Sequence, residues 1–384
     1  MHVEYVKATE NDLNELVDLL DFVFSTAYSP NDFEAMLPDF YSPKGFATGT
    51  NYIVKEDGKI VANVGAYPAV YHVCGHELKI AAISSVVVHR RARSRGYMKK
   101  LMEMALMDMR KDGATLSFLI GQRQRYEYFG FSPCGVRLAY TCNKTNIRHS
   151  FGGSFNSGIE LRELKPEDAK TWDDIYKMYH AGSVYIRRPQ ERFLDIMGTW
   201  ESKTIGVYLK GTLVGYLSAS KDYGAIHELS INEPSLLGEI IGVYLNKYQR
   251  NDVTVDVHLP ETEVVSQMSA VAETVSATHS LNFNVLDYPA VLNAFLMLKS
   301  EMVVVPDGEI TVRVQDENIT ITVLGNRPSV AITDKVPDVV CTHIEAMQLF
   351  FSNVSAFALG PLGGNAFARC LFPIPLFIKK TDQS

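Results

Sequence analysis

Apolar residues recur along this chain at two spacings. Ala81 to Val88 is an unbroken run of strand length ending in three valines. Beyond it, Met98, Leu101, Met102, Ala105, Leu106 and Met109 fall at i, i+3, i+4, i+7, i+8 and i+11, which is one apolar stripe of a helix. Lys111 in the last turn and Gly113 just after it predict the stop. Leu116 to Ile120 then reads as another strand.

The same pattern types return later. EYVKATENDLNELVDLL, from Glu4, and ELRELKPEDAKTWDDIY, from Glu160, each predict a short strand, a polar cap and a helix. NYIVKEDGKIVANVGAY (51–67) and TIGVYLKGTLVGYLSAS (204–220) each predict two strands around a tight turn, at Gly58 or Gly211. Both pairs match at an offset of about 155 residues, the size of a domain, so a duplicated α/β unit is expected. The Gly/Ser-rich stretch 149–158 marks the linker. A third region opens at LNFNVLDYPAVLNAFL (281–296), where Asp287 can cap a helix that carries Pro289 in its first turn. EITVRVQDENITITVLG follows as a hairpin and IEAMQLFF as a short helix. The expected class is α/β (α+β), divided as 1–150, 151–285 and 286–384.

Composition narrows the function. Net charge is −7, which argues against nucleic acid as a partner, since phosphate binding needs a broad basic face. The N-terminal residues lack an apolar signal core, and no apolar stretch is long enough to span a bilayer. Five scattered cysteines without a CxxC suit a reducing cytoplasm. None has the context of an activated thiolate. His72, Cys74 and His76 alternate as if on one strand face, but Gly75-His76 reads better as a hairpin turn, and no metal is expected. Asp256-x-His258 reads as surface and LGPLGGNAF (359–367) as a loop.

Against that acidic background, HRRARSRGYMKK (89–100) gathers cations between the Val86–Val88 strand end and the helix. A loop that opens a helix exposes free N–H groups at the positive end of the helix dipole. Gly96 lets a ligand approach the backbone, and the arginines add charge-assisted donors. The segment suits a phosphate or pyrophosphate, although it is neither a Walker loop nor GxGxxG. The equivalent stretch of the second unit, AIHELSINEPSLLGEIIG (225–242), has no arginine.

Val86-x-Val88, followed by Arg93-Ser94-Arg95-Gly96-Tyr97-Met98, resembles the acyl-CoA pyrophosphate loop of GNAT N-acetyltransferases, with Met98 departing from the usual small residue. That departure, the duplicate without the loop and the third region together resemble the Eis-like (enhanced intracellular survival) branch. The resemblance implies tandem GNAT-like mixed-sheet domains, the first catalytic and the second degenerate, then a sterol-carrier-protein-like α+β domain. It implies acetyl-CoA as cosubstrate, with Val86, Val87, Val88, Arg93, Ser94, Arg95, Gly96, Tyr97, Met98, Gly121 and Gln122 along it. RYEYFGF matches the family's tyrosine three residues before Phe-Gly-(Phe/Tyr), which makes Tyr126 the general acid for the leaving thiolate; Tyr128 is the alternative. A phenol is protonated at neutral pH and can donate. The family's C-terminal carboxylate acts as base, here Ser384, although LFIKKTDQS departs from the family's aromatic end and resembles a frayed terminus. Polyamine, aminoglycoside-like or lysine amines are the implied acceptors and a homo-hexamer the implied assembly. A non-catalytic protein that binds acyl-CoA or lipid is the alternative function.

Overall fold

The computed structural model describes residues 2–27, 30–151, 158–353 and 360–383. The first strands are β1 (Val3–Lys7), β2 (Asn51–Glu56), β3 (Lys59–Val73), β4 (His76–Val88), β5 (Leu116–Leu119) and β6 (Ser132–Cys134). Next come β7 (Arg137–Asn143), β8 (Ile159–Glu163), β9 (Val184–Ile186), β10 (Lys203–Leu209), β11 (Thr212–Ala219), β12 (Ala225–Ile231), β13 (Asp252–Val257) and β14 (Thr274–Thr278). The last are β15 (Leu281–Val285), β16 (Gly308–Val314), β17 (Glu317–Leu324), β18 (Arg327–Ile332) and β19 (Val339–Cys341).

These mixed α/β elements fall into two compact units. One comprises 1–135, 281–376 and 383–384; the other comprises 136–280 and 377–382. The first unit's main sheet runs β1-β2-β3-β4-β5-β15-β6 and the second unit's runs β14-β7-β13-β12-β11-β10-β8. Read from the opposite edge, the second order repeats the first. Both sheets are antiparallel along this path except at one parallel pair, β4/β5 or β12/β13. The sixth place breaks chain order in both. β15 enters the first sheet from beyond residue 280, and β7 enters the second from before the Gly/Ser stretch. The unit boundary therefore lies at Gly135/Val136, and β7 with the Lys144–Phe151 helix belongs to the second unit.

In the first unit the Tyr97–Lys111 helix buries Leu101, Met102, Ala105, Leu106 and Met109. It ends as expected, at Gly113 with φ +75°. The turn between β3 and β4 is Cys74-Gly75, both at positive φ, so the His/Cys alternation belongs to a two-residue hairpin turn. Asp287 caps the Tyr288–Met302 helix by accepting from the Ala290 amide at 3.0 Å. That helix and the His343–Phe351 helix accompany a four-stranded sheet, β18-β17-β16-β19.

Two expectations for the second unit fail. Asp256 and His258 are buried, because Arg137 of the neighbouring strand donates to Asp256 at 2.9 Å and the ring of His258 stacks on Phe377 at 4.3 Å. The end of the chain does not resemble a frayed terminus: Thr381 and Gln383 are buried, and Asp382 pairs with Arg188 at 2.7 Å. Ser384 lies outside the described residues.

Candidate active site

The site begins where a parallel strand pair stops. β4 and β5 are in register from Ile80/Leu116 to Ile83/Leu119, and β4 then continues alone on that side to Val88. A bulge accompanies the change. The β3/β4 register shifts between Asn63 and Gly65, Ser85 takes φ +52°, and Asn63 Nδ2 donates to the Ser85 carbonyl at 2.8 Å. Past the bulge the His89 amide donates to Val61 at 2.8 Å. Peptide groups alternate sides along a strand, so those of Val86 and Val88 face away from β3, into the gap beyond β5.

The basic loop follows. Buried Ala92 fixes its middle, and Gly96, at φ +79°, turns the chain into the helix. No side chain caps this end, and the first return bond is Lys100 N–H to Gly96 O at 3.1 Å. The N–H groups of Tyr97, Met98 and Lys99 therefore have no acceptor within the helix. Ser94 also takes positive φ and is exposed.

The arginines divide. Arg95 donates to the Glu56 carboxylate and, at 3.1 Å, to the Arg91 carbonyl. Tyr97 Oη donates to the same Glu56 oxygen at 2.6 Å, and these two donors, Tyr97 foremost, hold the Glu56 carboxyl below its ordinary value. Arg95 thus braces the loop against β2. The side chain of Arg93 is exposed and makes no ion pair among the described residues. Glu56 was not singled out from the sequence, where it reads as an ordinary turn-flanking acid.

Beyond β5 the chain forms a helical turn, Arg123–Tyr126, extended by Glu127–Phe129. Tyr126 is 6% exposed, whereas Tyr128 is 66% exposed with Lys99 Nζ 4.7 Å from its ring centre. Burial pushes the Tyr126 hydroxyl above its ordinary pKa, against the nearby Arg125. Gly121 is required for this packing: a Cβ there would lie 2.3 Å from Tyr126 Cε2. Gln122 precedes the turn and is exposed. Tyr126 shares one apolar cluster with Ile83, Leu119 and Phe131, against which Val86, Val88 and Met98 also pack. Val87 is buried.

Two groups test whether this region suits an acyl-CoA. The uncapped N–H groups match an anion. Asn282, in β15, donates from Nδ2 to the Gly121 carbonyl at 3.0 Å, while its Oδ1 is buried without a partner. An orphan acceptor on the strand next to β5 suits a ligand rich in amides. No group of metal-binding side chains occurs among the described residues. No helix among them is long and apolar enough to cross a membrane.

Comparisons with known proteins bear on the fold and on the first domain. Residues 4–134 match the family described as Acetyltransferase (GNAT) domain. No curated protein matches the chain. Among solved structures, a GCN5-related N-acetyltransferase from Kribbella flavida is 15% identical, with 100% of this chain and 98% of that one covered and a TM-score of 0.68. A probable N-acyltransferase from Enterococcus faecalis V583 is 14% identical over 99% and 100%, at 0.69. Eis1 from Mycobacterium abscessus is 13% identical over 100% and 99%, at 0.64. Identities this low speak for the fold, and the domain match speaks for the chemistry: residues 4–134 match the GNAT acetyltransferase domain, and that match supports an N-acetyltransferase.

Proposed function

We propose that the protein moves an acetyl group from acetyl-CoA directly to a primary amine, with no acyl-enzyme. The observation that carries this reading is the end of β4/β5 pairing at Ile83/Leu119, which leaves the Val86 and Val88 peptide groups facing a gap. Acetyl-CoA, when bound, supplies an acetyl group activated as a thioester. The N–H groups of Tyr97, Met98 and Lys99, with Arg93, bind the pyrophosphate. Ser94 and Gly96 shape that loop, and Arg95 stiffens it through Glu56. Val86 and Val88 orient the pantetheine amides, with Gly121 and Gln122 across the gap. Val86, Val88 and Met98 exclude water.

Tyr126 holds a proton at Oη for the departing sulfur. Its burial keeps that proton in place at neutral pH. The amine's own proton goes to the Ser384 carboxylate in this reading, as the Eis-like resemblance implies. The net charge of −7 favours cationic acceptors, of the polyamine, aminoglycoside or lysine type. The Eis-like resemblance, with a sterol-carrier-like 286–384 domain, a degenerate middle domain, a cytoplasmic setting and a hexamer, belongs to the same proposal. The four-stranded sheet supports a separate α+β layer in that last region.

The test is calorimetric titration of acetyl-CoA into the wild type and Arg93→Ala, then thiol release with an amine panel for the wild type and Tyr126→Phe. Binding weakened by Arg93→Ala, and turnover lost in Tyr126→Phe with binding kept, are expected. A wild type that binds no acetyl-CoA would overturn the proposal. Full turnover in Tyr126→Phe would remove Tyr126 from the mechanism.

A further inference from the structure

The Tyr126 turn is held by side chains from far along the chain. Asn282 holds the Gly121 carbonyl at 3.0 Å, and Asn284 holds the Phe129 carbonyl at 2.9 Å. His343, the first residue of its helix, brings Nε2 to 3.0 Å from the Gly130 carbonyl.

The last contact goes furthest. The Gly130 carbonyl and the Phe131 N–H belong to one peptide plane. Its N–H end donates to the Tyr126 carbonyl at 3.3 Å. His343 therefore connects to the Tyr126 backbone through two hydrogen bonds and one rigid planar group. A carbonyl only accepts, so Nε2 of His343 must carry its hydrogen. That leaves Nδ1 of the neutral ring as an acceptor for Tyr288 Oη, 3.0 Å away, a hydroxyl whose other acceptor is the His343 carbonyl at 3.2 Å, so both of its bonds hold the same residue. Tyr288 is itself buried, edge-on to Phe350 at 5.8 Å. The imidazole is thus fixed in position and tautomer by the start of the Tyr288–Met302 helix. Gly130, at φ +89°, makes the corner that presents its carbonyl.

We infer that His343 is a positioning residue for Tyr126, oriented by Tyr288, so that the region after residue 286 takes part in acetyl transfer by setting the tyrosine's place. The inference rests on the reading of Tyr126 as proton donor. A small displacement of a reacting group by a distant change can cost about 10- to 100-fold in rate, and a loss of that size in kcat is expected for His343→Leu. KM for acetyl-CoA should stay within about twofold, because the pyrophosphate loop does not depend on this contact. His343→Gln keeps an N–H donor and should recover most of the rate.

The experiment combines kinetics with hydrogen exchange. Thiol release from acetyl-CoA with spermidine as probe amine would be measured for the wild type, His343→Leu, His343→Gln, Tyr126→Phe and the double variant His343→Leu/Tyr126→Phe. Amide exchange across 121–131 would be followed in the same proteins. The expected result is faster exchange there in His343→Leu, restored in His343→Gln, and no further loss of kcat from His343→Leu once Tyr126 is Phe. A slow Tyr126→Phe beside a His343→Leu of unchanged kcat and exchange would overturn the inference alone. Equal fractional losses in both backgrounds would also overturn it, as a general structural effect. A Tyr126→Phe at full rate, or a wild type inert toward the amine, would sink the Tyr126 reading and the inference with it.

Discussion

Arg188 offers the sharpest energetic test of the second unit. It is 1% exposed, and its guanidinium is almost fully engaged. Nη2 donates to Glu228 and to Thr381, each at 2.7 Å, Nη1 reaches Glu228 at 3.2 Å and Met197 Sδ at 3.0 Å, and Nε donates to Asp382 at 2.7 Å. Its planar face lies 3.8 Å from the Tyr179 ring centre. Arg188→Met keeps the apolar packing but strands two buried carboxylates. Removing one partner of a buried pair costs about 3–5 kcal/mol, because the remaining charge must be protonated or resolvated. By contrast, Arg162 and Glu160, 2.6 Å apart and half exposed, are screened by solvent, so Arg162→Ala is the control. The assay is built into the chain. Its two tryptophans, Trp172 and Trp200, both lie in the second unit, so urea unfolding followed by tryptophan emission reports that unit. Trp172 shares a cluster with Tyr179 and Met197, against Arg188 itself. Release of the tail is a second readout, since trypsin should cut at Lys379 or Lys380 earlier in Arg188→Met. Adding Glu228→Gln and Asp382→Asn to Arg188→Met should recover part of the loss. A loss below about 1 kcal/mol, with no change in tail proteolysis, would refute the reasoning.

Three further outcomes are expected. Arg93→Ala should weaken acetyl-CoA about tenfold, the scale of one charge-assisted contact, and Arg95→Ala by less, since Glu56 already engages that guanidinium; calorimetry ranks the two. Gly121→Ala should cost about 1–3 kcal/mol by overpacking and should lower kcat, because the added Cβ pushes on the Tyr126 ring; melting curves beside kcat check it. Acid should destabilise the second unit in two stages. Burial holds His258 near a pKa of about 4, below its ordinary 6.5, so the unfolded chain takes up that proton first and stability falls from pH 6.5 toward 4. Glu228 is held near about 2, burial being outweighed by Arg188, so its contribution is present above its ordinary 4.5 and is lost as pH falls from there toward 2; Asp382, raised by burial, opposes it. His258→Phe should flatten the upper stage of a pH series of urea midpoints.

Local signals were legible in the sequence and long-range pairings were not. The apolar stripe from Met98, the Gly96 turn and the Asp287 cap are set within a few residues, so periodicity and capping chemistry locate them. Alternation marks Arg137–Asn143 and Leu281–Val285 as strands but says nothing about which sheet receives them, and each joins the sheet of the unit that the 1–150 and 151–285 division did not give it. Charge misled for the same reason. Asp256 and the tail read as solvated because their partners, Arg137 and Arg188, lie 119 and 194 residues away. The brace from Arg95 was out of reach too, because nothing nearby in sequence announces Glu56. His343 had no signal at all, since its partner is a backbone carbonyl 213 residues distant.

The two units show how one strand plan leads to different chemistry. In each, a parallel pair parts after a short register, at Ile83/Leu119 in the first and at Ile226/Val255 in the second. In the first, the strand beyond the parting runs into an uncapped helix with Arg93 exposed beside it. In the second, the corresponding stretch holds Glu233 and Pro234, and the helix start at Leu237 is buried. Its strand end is also already engaged. Thr381 and Arg188 take the Glu228 carboxylate on β12, while Phe377 stacks on His258 and Lys379 pairs with Glu261 at 3.3 Å just past β13. A peptide segment of the chain's own thus lies against the ends of these strands and takes the Glu228 carboxylate, a place that the proposed reading gives to a ligand in the first unit. The buried charges around Arg188 therefore have a structural reason: they hold that segment where an unfilled gap would strand backbone and carboxylate groups away from water.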